Sequence, residues 1–496
     1  MNINPDKFFS LKDYLNILGK EVVAVANYAD QAVTHITNNS KKISKGSLFI
    51  AIKGSENDGH NFISDAIKNG AGIIFHETKI QTKEKDVIFV MVKDSYYAYA
   101  IICEKYFDDP AKKLKLIGVT GTNGKTTSAY LIRAVLIEAG RKAGLISTVE
   151  YSCGKTLYSA NRTTPEAYEL QSLFYEMAQN GCEYAVMEVT SHALSQHRTG
   201  NAKYEAALFT NLSGDHLDYH KDMDNYFQAK ARLFTECLGH AGTSVINQDD
   251  YYGAQLIGIL KHTTTYGFGE GCVFRVISSK DPFQSCIEGI ACKGNYVEFK
   301  TSLLGRYNAY NVAGVFALCS ELGIEKEIIV KTLSKEIAIP GRLERVYCNS
   351  DILFFVDYAH TDDALERVLC AMRDLKPAKL ISAFGCGGDR DKTKRPRMGK
   401  ISTEFADFTI VTSDNPRREQ PSAIIKDIIE GIPPEKNFCV IENRRDAIFE
   451  AVRIAEPKNI IIIAGKGHED YQEINGVKHH FSDKEIIAKA IKFYRK

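Results

Sequence analysis

The feature that most constrains this chain is a set of seven short apolar runs separated by longer amphipathic stretches: Leu114–Val119, Tyr184–Val189, Ala206–Thr210, Leu353–Val356, Leu380–Ala383, Phe408–Val411 and Ile460–Ile463. Continuous apolar runs of this length read as strands buried on both faces of a parallel sheet. Periodic segments such as Thr126–Ala139 and Asp362–Leu375 read as helices between them. The alternation predicts α/β layers with helices on both sheet faces. At 496 residues the chain is too long for one core, and roughly 150 residues per domain suggests about three domains. Linker-like residues at Asp109–Lys113 and the Pro340-Gly341 break predict domains over 1–111, 112–339 and 340–496. Between Cys272 and Ser302 the pattern weakens into short polar-interrupted strands, expected to form an antiparallel insert.

The most informative segment is Gly118-Val119-Thr120-Gly121-Thr122-Asn123-Gly124-Lys125-Thr126-Thr127, between a strand and a helix. That is the setting of a phosphate-binding loop, in which glycines admit backbone N–H groups to the phosphates and the helix N-terminus adds positive charge. Lys125 is expected to reach the terminal phosphates of ATP and the Thr126 hydroxyl to take Mg²⁺. Val119 stands where the strict pattern has its first glycine, so the loop is a variant. Glu188 lies at the C-terminal end of the run Tyr184–Val189, one residue before Val189, where a carboxylate faces the ligand crevice of an open α/β sheet, and is a second candidate for the metal. His216, in Asn211–His220, follows another strand among carboxylates and is a candidate metal ligand or phosphate contact.

Composition narrows the partners. Lys plus Arg total 63 against 62 Asp plus Glu, which disfavours nucleic-acid binding. The twelve cysteines contain no CxxC pair, which speaks against a paired-cysteine zinc site or a secreted disulfide scaffold. The N-terminus lacks the basic and apolar regions of a signal peptide, and no run approaches the roughly 20 apolar residues of a membrane span. A cytoplasmic protein is expected, with no membrane insertion. Trp is absent, so stacking on a ligand falls to Tyr, Phe or His.

Taken in order, Gly121–Thr127, Met187–His192 with Gln196-His197-Arg198, and Asn211–His220 resemble the Mur ligase family, which builds the peptide of bacterial cell-wall precursors by ATP-dependent amide formation. The resemblance extends to Asn38–Lys41, Gly54–His60, Pro340–Glu344, Asp357–Thr361 and Asp414–Arg417, and so covers essentially the whole chain. It implies a small α/β N-terminal domain that binds a UDP-sugar, a central P-loop ATPase-like parallel-sheet domain, and a C-terminal Rossmann-like α/β domain that binds an amino acid.

The resemblance also implies roles for particular residues. Lys230 matches a lysine that is carbamylated and helps hold Mg²⁺ with Thr126, Glu188 and His216; with Lys125 and His360, these form the catalytic set. Gly121, Thr122, Asn123, Gly124, Lys125, Thr126, Thr127, Asn308, Arg342, Asp357 and Tyr358 match ATP contacts. Ser40, Thr163, Thr164, Thr190, Gln196 and Arg198 match contacts to UDP-N-acetylmuramoyl-L-alanyl-D-glutamate, although Asn39, Lys41 and Ser55-Glu56-Asn57 depart from the family pattern around the uridine. Arg390, Asp414, Asn415, Pro416, Arg417, Gly465 and Glu469 match the amino-acid pocket. Arg at position 417 accompanies meso-diaminopimelate in the family. Its guanidinium clamps a distal carboxylate that lysine lacks, while Glu469 receives the distal ammonium.

The implied reaction adds meso-diaminopimelate to the D-glutamate through an acyl phosphate, with His360 or a nearby carboxylate accepting the amine proton. L-Lysine or meso-lanthionine are the alternative amino acids. A folylpolyglutamate synthase is more distant, and a P-loop ATPase with a regulatory or mechanical role is the remote alternative. A monomer that closes its third domain during catalysis is expected.

Overall fold

The computed structural model describes residues 8–54, 57–80, 84–281, 283–292, 294–337, 339, 343–348 and 351–494. The chain forms two compact units. The first runs to Arg275 and includes Cys292–Gly294 and Asn311–Thr332; the second comprises Val276–Ala291, Asn295–Tyr310 and the chain from Leu333.

Two sheets contribute strands to the first unit. One has five strands in the order Val22–Ala26, Ile88–Val92, Ile73–His76, Leu48–Ile50 and Ile36–Thr37, and is parallel apart from its first pair. Both its faces are covered by apolar side chains. The other is built around Lys115–Thr120, which lies between Tyr184–Glu188 and Tyr204–Phe209, all parallel. From Leu116 to Thr120 this strand is buried, the continuous apolar pattern of a strand covered on both faces. An aromatic seam of Tyr106, Phe107, Tyr168 and Tyr175 joins the helices Ser95–Tyr106 and Ala167–Gln179. The expected first domain and the part of the expected second that lies in this unit therefore keep separate sheets, while segments of the expected second domain, Val276–Ala291 and Asn295–Tyr310, fall in the second unit.

The second unit carries a six-stranded sheet in the order Glu344–Val346, Leu353–Asp357, Asn459–Ala464, Lys379–Phe384, Phe408–Val411 and Phe438–Val440. All its pairs are parallel except the first. Its two faces bury separate apolar clusters, one with Leu365, Leu369 and Met372, the other with Ile448, Val452 and Ile487. Helices thus cover both faces, as in a doubly wound sheet.

One expected element differs. The insert after Cys272 begins with Phe274–Ser278, which pairs parallel, not antiparallel, to Thr264–Gly267. The intervening loop is drawn back by Asp249, whose carboxylate accepts the Phe268 and Gly269 amides at 2.6 and 3.2 Å.

Candidate active site

In the first unit, three strand ends converge on the phosphate loop. The strand Lys115–Thr120 runs into Gly121–Gly124 and then the helix Lys125–Glu138. Gly121 has φ +145°, and a Cβ there would lie 1.9 Å from Thr210 Oγ1; at Gly124, φ +84°, it would meet Asn311 Oδ1 at 2.2 Å. Only glycine fits either position. The loop is braced from the next strand. Thr210 Oγ1 donates to the Asn123 carbonyl at 2.6 Å, and the Asn211 side chain accepts from Asn123 N at 3.0 Å and donates to Asn123 O at 3.2 Å.

Two lysines share one carbonyl of this loop. Lys125 Nζ donates to Gly121 O at 2.9 Å and Thr122 O at 2.8 Å, while Lys230 Nζ donates to the same Gly121 O at 2.9 Å. Lys230, on the helix Met223–Thr235, is buried and sits 4.8 Å from the centre of the Tyr226 ring. Burial and the neighbouring Lys125 hold its ammonium pKa well below the ordinary value, against a smaller opposing effect of Asp215.

The remaining candidates of this unit form one connected set. Tyr226 contacts the Thr122 hydroxyl at 3.3 Å and the His216 ring at 6.1 Å. His216, in a left-handed conformation (φ +54°), packs edge-on to His192 at 4.9 Å, and His192 lies 4.2 Å from Tyr219. Gln196 Nε2 reaches Tyr219 Oη at 3.5 Å, and Gln196 Oε1 accepts Arg198 Nε and Nη2 at 3.0 and 2.7 Å. Arg198 Nη1 donates to Thr164 O at 2.8 Å. Thr164 Oγ1 donates to Glu188 O at 2.8 Å and accepts Thr190 N at 3.0 Å. The buried Glu188 carboxylate accepts the Thr148 amide at 2.8 Å and the Thr148 hydroxyl at 3.2 Å, and that hydroxyl is 3.1 Å from Thr163 Oγ1. Ser40 stands apart from this network, in the short turn Ser40–Lys42, where its carbonyl accepts Asn69 Nδ2.

Sequence reasoning missed several members of this network. Arg198 is expected to face a substrate anion, yet it also pairs with Glu166 at 3.1 Å. Its guanidinium donates three hydrogen bonds, to Gln196 and Thr164, besides the ion pair with Glu166. Thr148, Tyr226 and Asn311 carry no motif that would have marked them. Glu166 directly follows Thr163-Thr164-Pro165, but nothing in the sequence marks it as the partner of Arg198.

In the second unit, the amino-acid candidates lie on loops at the C-terminal ends of three adjacent parallel strands, Lys379–Phe384, Phe408–Val411 and Asn459–Ala464. A Cβ added to Gly387 would sit 2.8 Å from Arg417 Nη1 and 3.9 Å from Arg390 Cγ, so both arginines border this glycine. Arg417, at φ +53°, donates Nη1 to Gly388 O at 2.7 Å. The Asn415 amide donates to Glu469 Oε2 at 2.8 Å, and the buried Lys466 donates to the same oxygen at 2.9 Å. Gly465 (φ +116°) leaves room for Asp414, whose Oδ2 would lie 2.4 Å from a Cβ. The fully buried Arg395 clamps Glu419 through both carboxylate oxygens at 2.9 and 3.0 Å, and Glu419 accepts the Asp389 amide at 2.6 Å. Arg395 holds the Glu419 carboxyl down at about 2.

The nucleotide candidates of the same unit cluster at the end of Leu353–Asp357. The Asp357 carboxylate accepts the Leu343 and Ala359 amides at 2.7 and 2.8 Å. Tyr358 lies 4.7 Å from the His360 ring and 5.3 Å from that of His468. The His360 Nδ1–H donates to Tyr358 O at 2.9 Å, which leaves Nε2 as the basic nitrogen. Asn308 Nδ2 donates to Leu304 O. Arg342 lies outside the described residues. Among the described residues, no three His, Cys, Asp or Glu side chains are placed to share a metal ion, and no helix is long and apolar enough to cross a membrane.

A glycine-rich strand-to-helix loop with two converging lysines in one unit, and a doubly wound sheet with charged side chains at its strand ends in the other, define the class: a multi-domain α/β enzyme that acts on nucleoside triphosphates. Comparison with known proteins narrows it. Residues 32–112 match the profile described as Mur ligase family, catalytic domain; 119–319 match the Mur ligase middle domain; and 341–467 match the Mur ligase glutamate ligase domain. A UDP-N-acetylmuramoyl-L-alanyl-D-glutamate–2,6-diaminopimelate ligase of Aquifex aeolicus is 42% identical over 459 residues, 92% of this chain and 94% of the relative. One of the same name from Clostridium perfringens is 41% identical over 490 residues, covering 96% and 98%. A solved structure of a protein so named superposes with a TM-score of 0.67 at 31% identity, covering 94% of this chain and 96% of the other. The chain belongs to the Mur ligase family, whose members are ATP-dependent ligases that form amide bonds.

Proposed function

We propose that this ligase joins meso-diaminopimelate to the D-glutamate of UDP-N-acetylmuramoyl-L-alanyl-D-glutamate, releasing ADP and phosphate, in cytoplasmic peptidoglycan precursor synthesis. The observation that carries this reading is the pairing of Arg417 with Arg390 around Gly387, in a pocket that also presents Glu469. Two guanidiniums suit an amino acid with a second carboxylate, and Glu469 suits its ammonium. Relatives of that name, at 41–42% identity over nearly the whole chain, agree with it.

The γ-carboxylate of the D-glutamate attacks the γ-phosphorus of ATP, forming an acyl phosphate and ADP. Lys125 stabilises charge on the transferring phosphoryl group, and Gly121–Thr127 hold the phosphates. The amine then attacks the acyl carbon and phosphate leaves. His360, with Nε2 basic, is our candidate for the amine proton. Thr163, Thr164, Thr190, Gln196 and Arg198 orient the dipeptide end, Ser40 the uridine end, and Asn308, Asp357 and Tyr358 the nucleotide.

Magnesium fits the residues present if Lys230 is modified. A buried lysine whose burial and neighbour favour the neutral amine is primed to add CO₂, giving a carbamate and a proton. Thr126, Glu188, His216 and that carbamate would then offer the oxygen-rich set a hard cation prefers. Bound there, Mg²⁺ would neutralise phosphate charge.

The experiment that tests the assignment measures phosphate release by the purified enzyme with ATP and the nucleotide dipeptide, with meso-diaminopimelate, L-lysine and meso-lanthionine in turn. We expect the highest kcat/KM with meso-diaminopimelate. Release that ignores the added amino acid would overturn it.

A further inference from the structure

The amino-acid pocket contains one carboxylate that the reading above leaves idle. Glu473 lies on the strand Tyr471–Ile474, which runs alongside the loop of Asp414–Arg417. Arg417 N donates to Glu473 O at 3.0 Å, Asn475 N to Arg417 O at 2.6 Å, Glu473 N to Asn415 Oδ1 at 2.9 Å, and Gln472 Nε2 to Asp414 O at 2.6 Å. The backbone register is therefore fixed on both sides of Arg417. This brings Glu473 Oε2 to 3.6 Å from Arg417 Nε, with the two side chains only 25% and 19% exposed.

The pocket's charges are thus partly matched before any ligand enters. Lys466 is paired with Glu469 and Arg417 with Glu473, whereas Arg390 makes no hydrogen bond or ion pair among the described residues. An arginine selects for a distal carboxylate because an amino acid without one leaves the guanidinium desolvated and uncompensated. A resident carboxylate removes part of that penalty. It also offers an acceptor to a distal ammonium, and it competes with a distal carboxylate for the same guanidinium. All three effects act in one direction.

We infer that Glu473 is a specificity-determining residue that narrows this enzyme's preference for a diamino acid with a distal carboxylate over L-lysine. The inference rests on the amino-acid pocket assigned above. With Glu473 in place, Arg390 is the pocket cation that supplies unmatched charge, and Arg417 is shared.

The test is Glu473→Gln, which keeps size and hydrogen bonding at a position on a surface hairpin and removes only the charge. Phosphate release and calorimetric affinity are measured for meso-diaminopimelate and L-lysine, with the ATP KM as control and the melting temperature as a check on folding. The ratio of kcat/KM for meso-diaminopimelate over L-lysine is expected to rise about three- to fivefold, the scale of a partly exposed ion pair, with the ATP KM unchanged. A ratio that stays level or falls, in a folded variant that still uses meso-diaminopimelate, overturns the role of Glu473 alone. A wild-type enzyme that neither binds nor uses either amino acid overturns the pocket assignment and the inference with it.

Discussion

The two functional regions handle charge in opposite ways. Around the phosphate loop the buried Lys230 donates to a backbone carbonyl and has no carboxylate within ion-pair distance among the described residues, while the buried Glu188 is satisfied by Thr148. In and around the amino-acid pocket most charges already have a partner: Arg395 with Glu419, Lys466 with Glu469, and Arg417 with Glu473. The difference follows from the ligands proposed for each. A polyphosphate brings several negative charges and a metal with them, so its site gains from a buried lysine that no carboxylate holds as an ammonium and that can add CO₂. A zwitterionic diamino acid brings both signs in nearly equal number, so its site is best kept close to neutral and specific in geometry. The formal net charge of +1 conceals this division.

The contrast breaks most sharply at Lys230. If the phosphate region depends on this lysine becoming an anion that holds Mg²⁺, Lys230→Ala should lower kcat by about 100- to 1,000-fold, the scale of losing one transition-state electrostatic group. A short carboxylic acid such as acetate should restore part of the loss. Full activity in the alanine variant, measured as phosphate release, would remove the carbamate from the scheme.

A smaller effect is expected where the amino-acid pocket is held by its internal pairs. Glu419 touches no proposed ligand, but it links Arg395 to the Asp389 amide and so ties the loop bearing Arg390 to the loop bearing Arg417. Glu419→Gln should raise the KM for meso-diaminopimelate several-fold and leave that for ATP unchanged. It should also alter the pH profile of stability. The folded pKa, at about 2, lies below the ordinary glutamate value near ~4.3. The pair therefore stabilises the fold above that ordinary value, and its contribution fades as pH falls towards 2. The wild type should melt roughly 2–4 °C above the variant near neutrality, with the gap closing below about pH 4. A gap that is constant with pH would mean that the charge of Glu419 is not what holds the loops.

How much of this was legible beforehand follows the same divide. The strands were readable because burial on both faces demands continuous apolar runs: Phe408–Val411 has the bounds expected of it, and Lys379–Phe384 and Asn459–Ala464 each extend their runs by one residue at either end. The phosphate loop was readable because Gly121 and Gly124 occupy positions where a Cβ collides. The partners of the charged residues were not readable. Glu166, Glu419 and Glu473 look like ordinary surface glutamates in sequence, and Lys466 like any lysine in a glycine-rich turn. Only the fold shows which arginine or carboxylate each one meets. The parallel pairing after Cys272 was missed for a similar reason, because it depends on Asp249, more than twenty residues upstream.

The comparison is sharpened most finely by its exception. Arg198 belongs to the unit of the phosphate loop, yet it is paired with Glu166, which also meets Arg162 at 3.1 Å. Glu166 caps no amide of the helix it precedes, and among the described residues its ion pairs are to these two arginines. If it is a counter-ion that keeps Arg198 in place until a substrate anion arrives, Glu166→Gln should free part of the guanidinium's charge. The KM for the nucleotide dipeptide should then fall by about two- to threefold at low salt, and the gain should shrink as salt is raised. A KM that rises instead would make Glu166 part of the orienting framework of the dipeptide site. In that case the phosphate-loop unit would need a matched pair for geometry, just as the amino-acid pocket does, and the difference between the two regions would be one of degree.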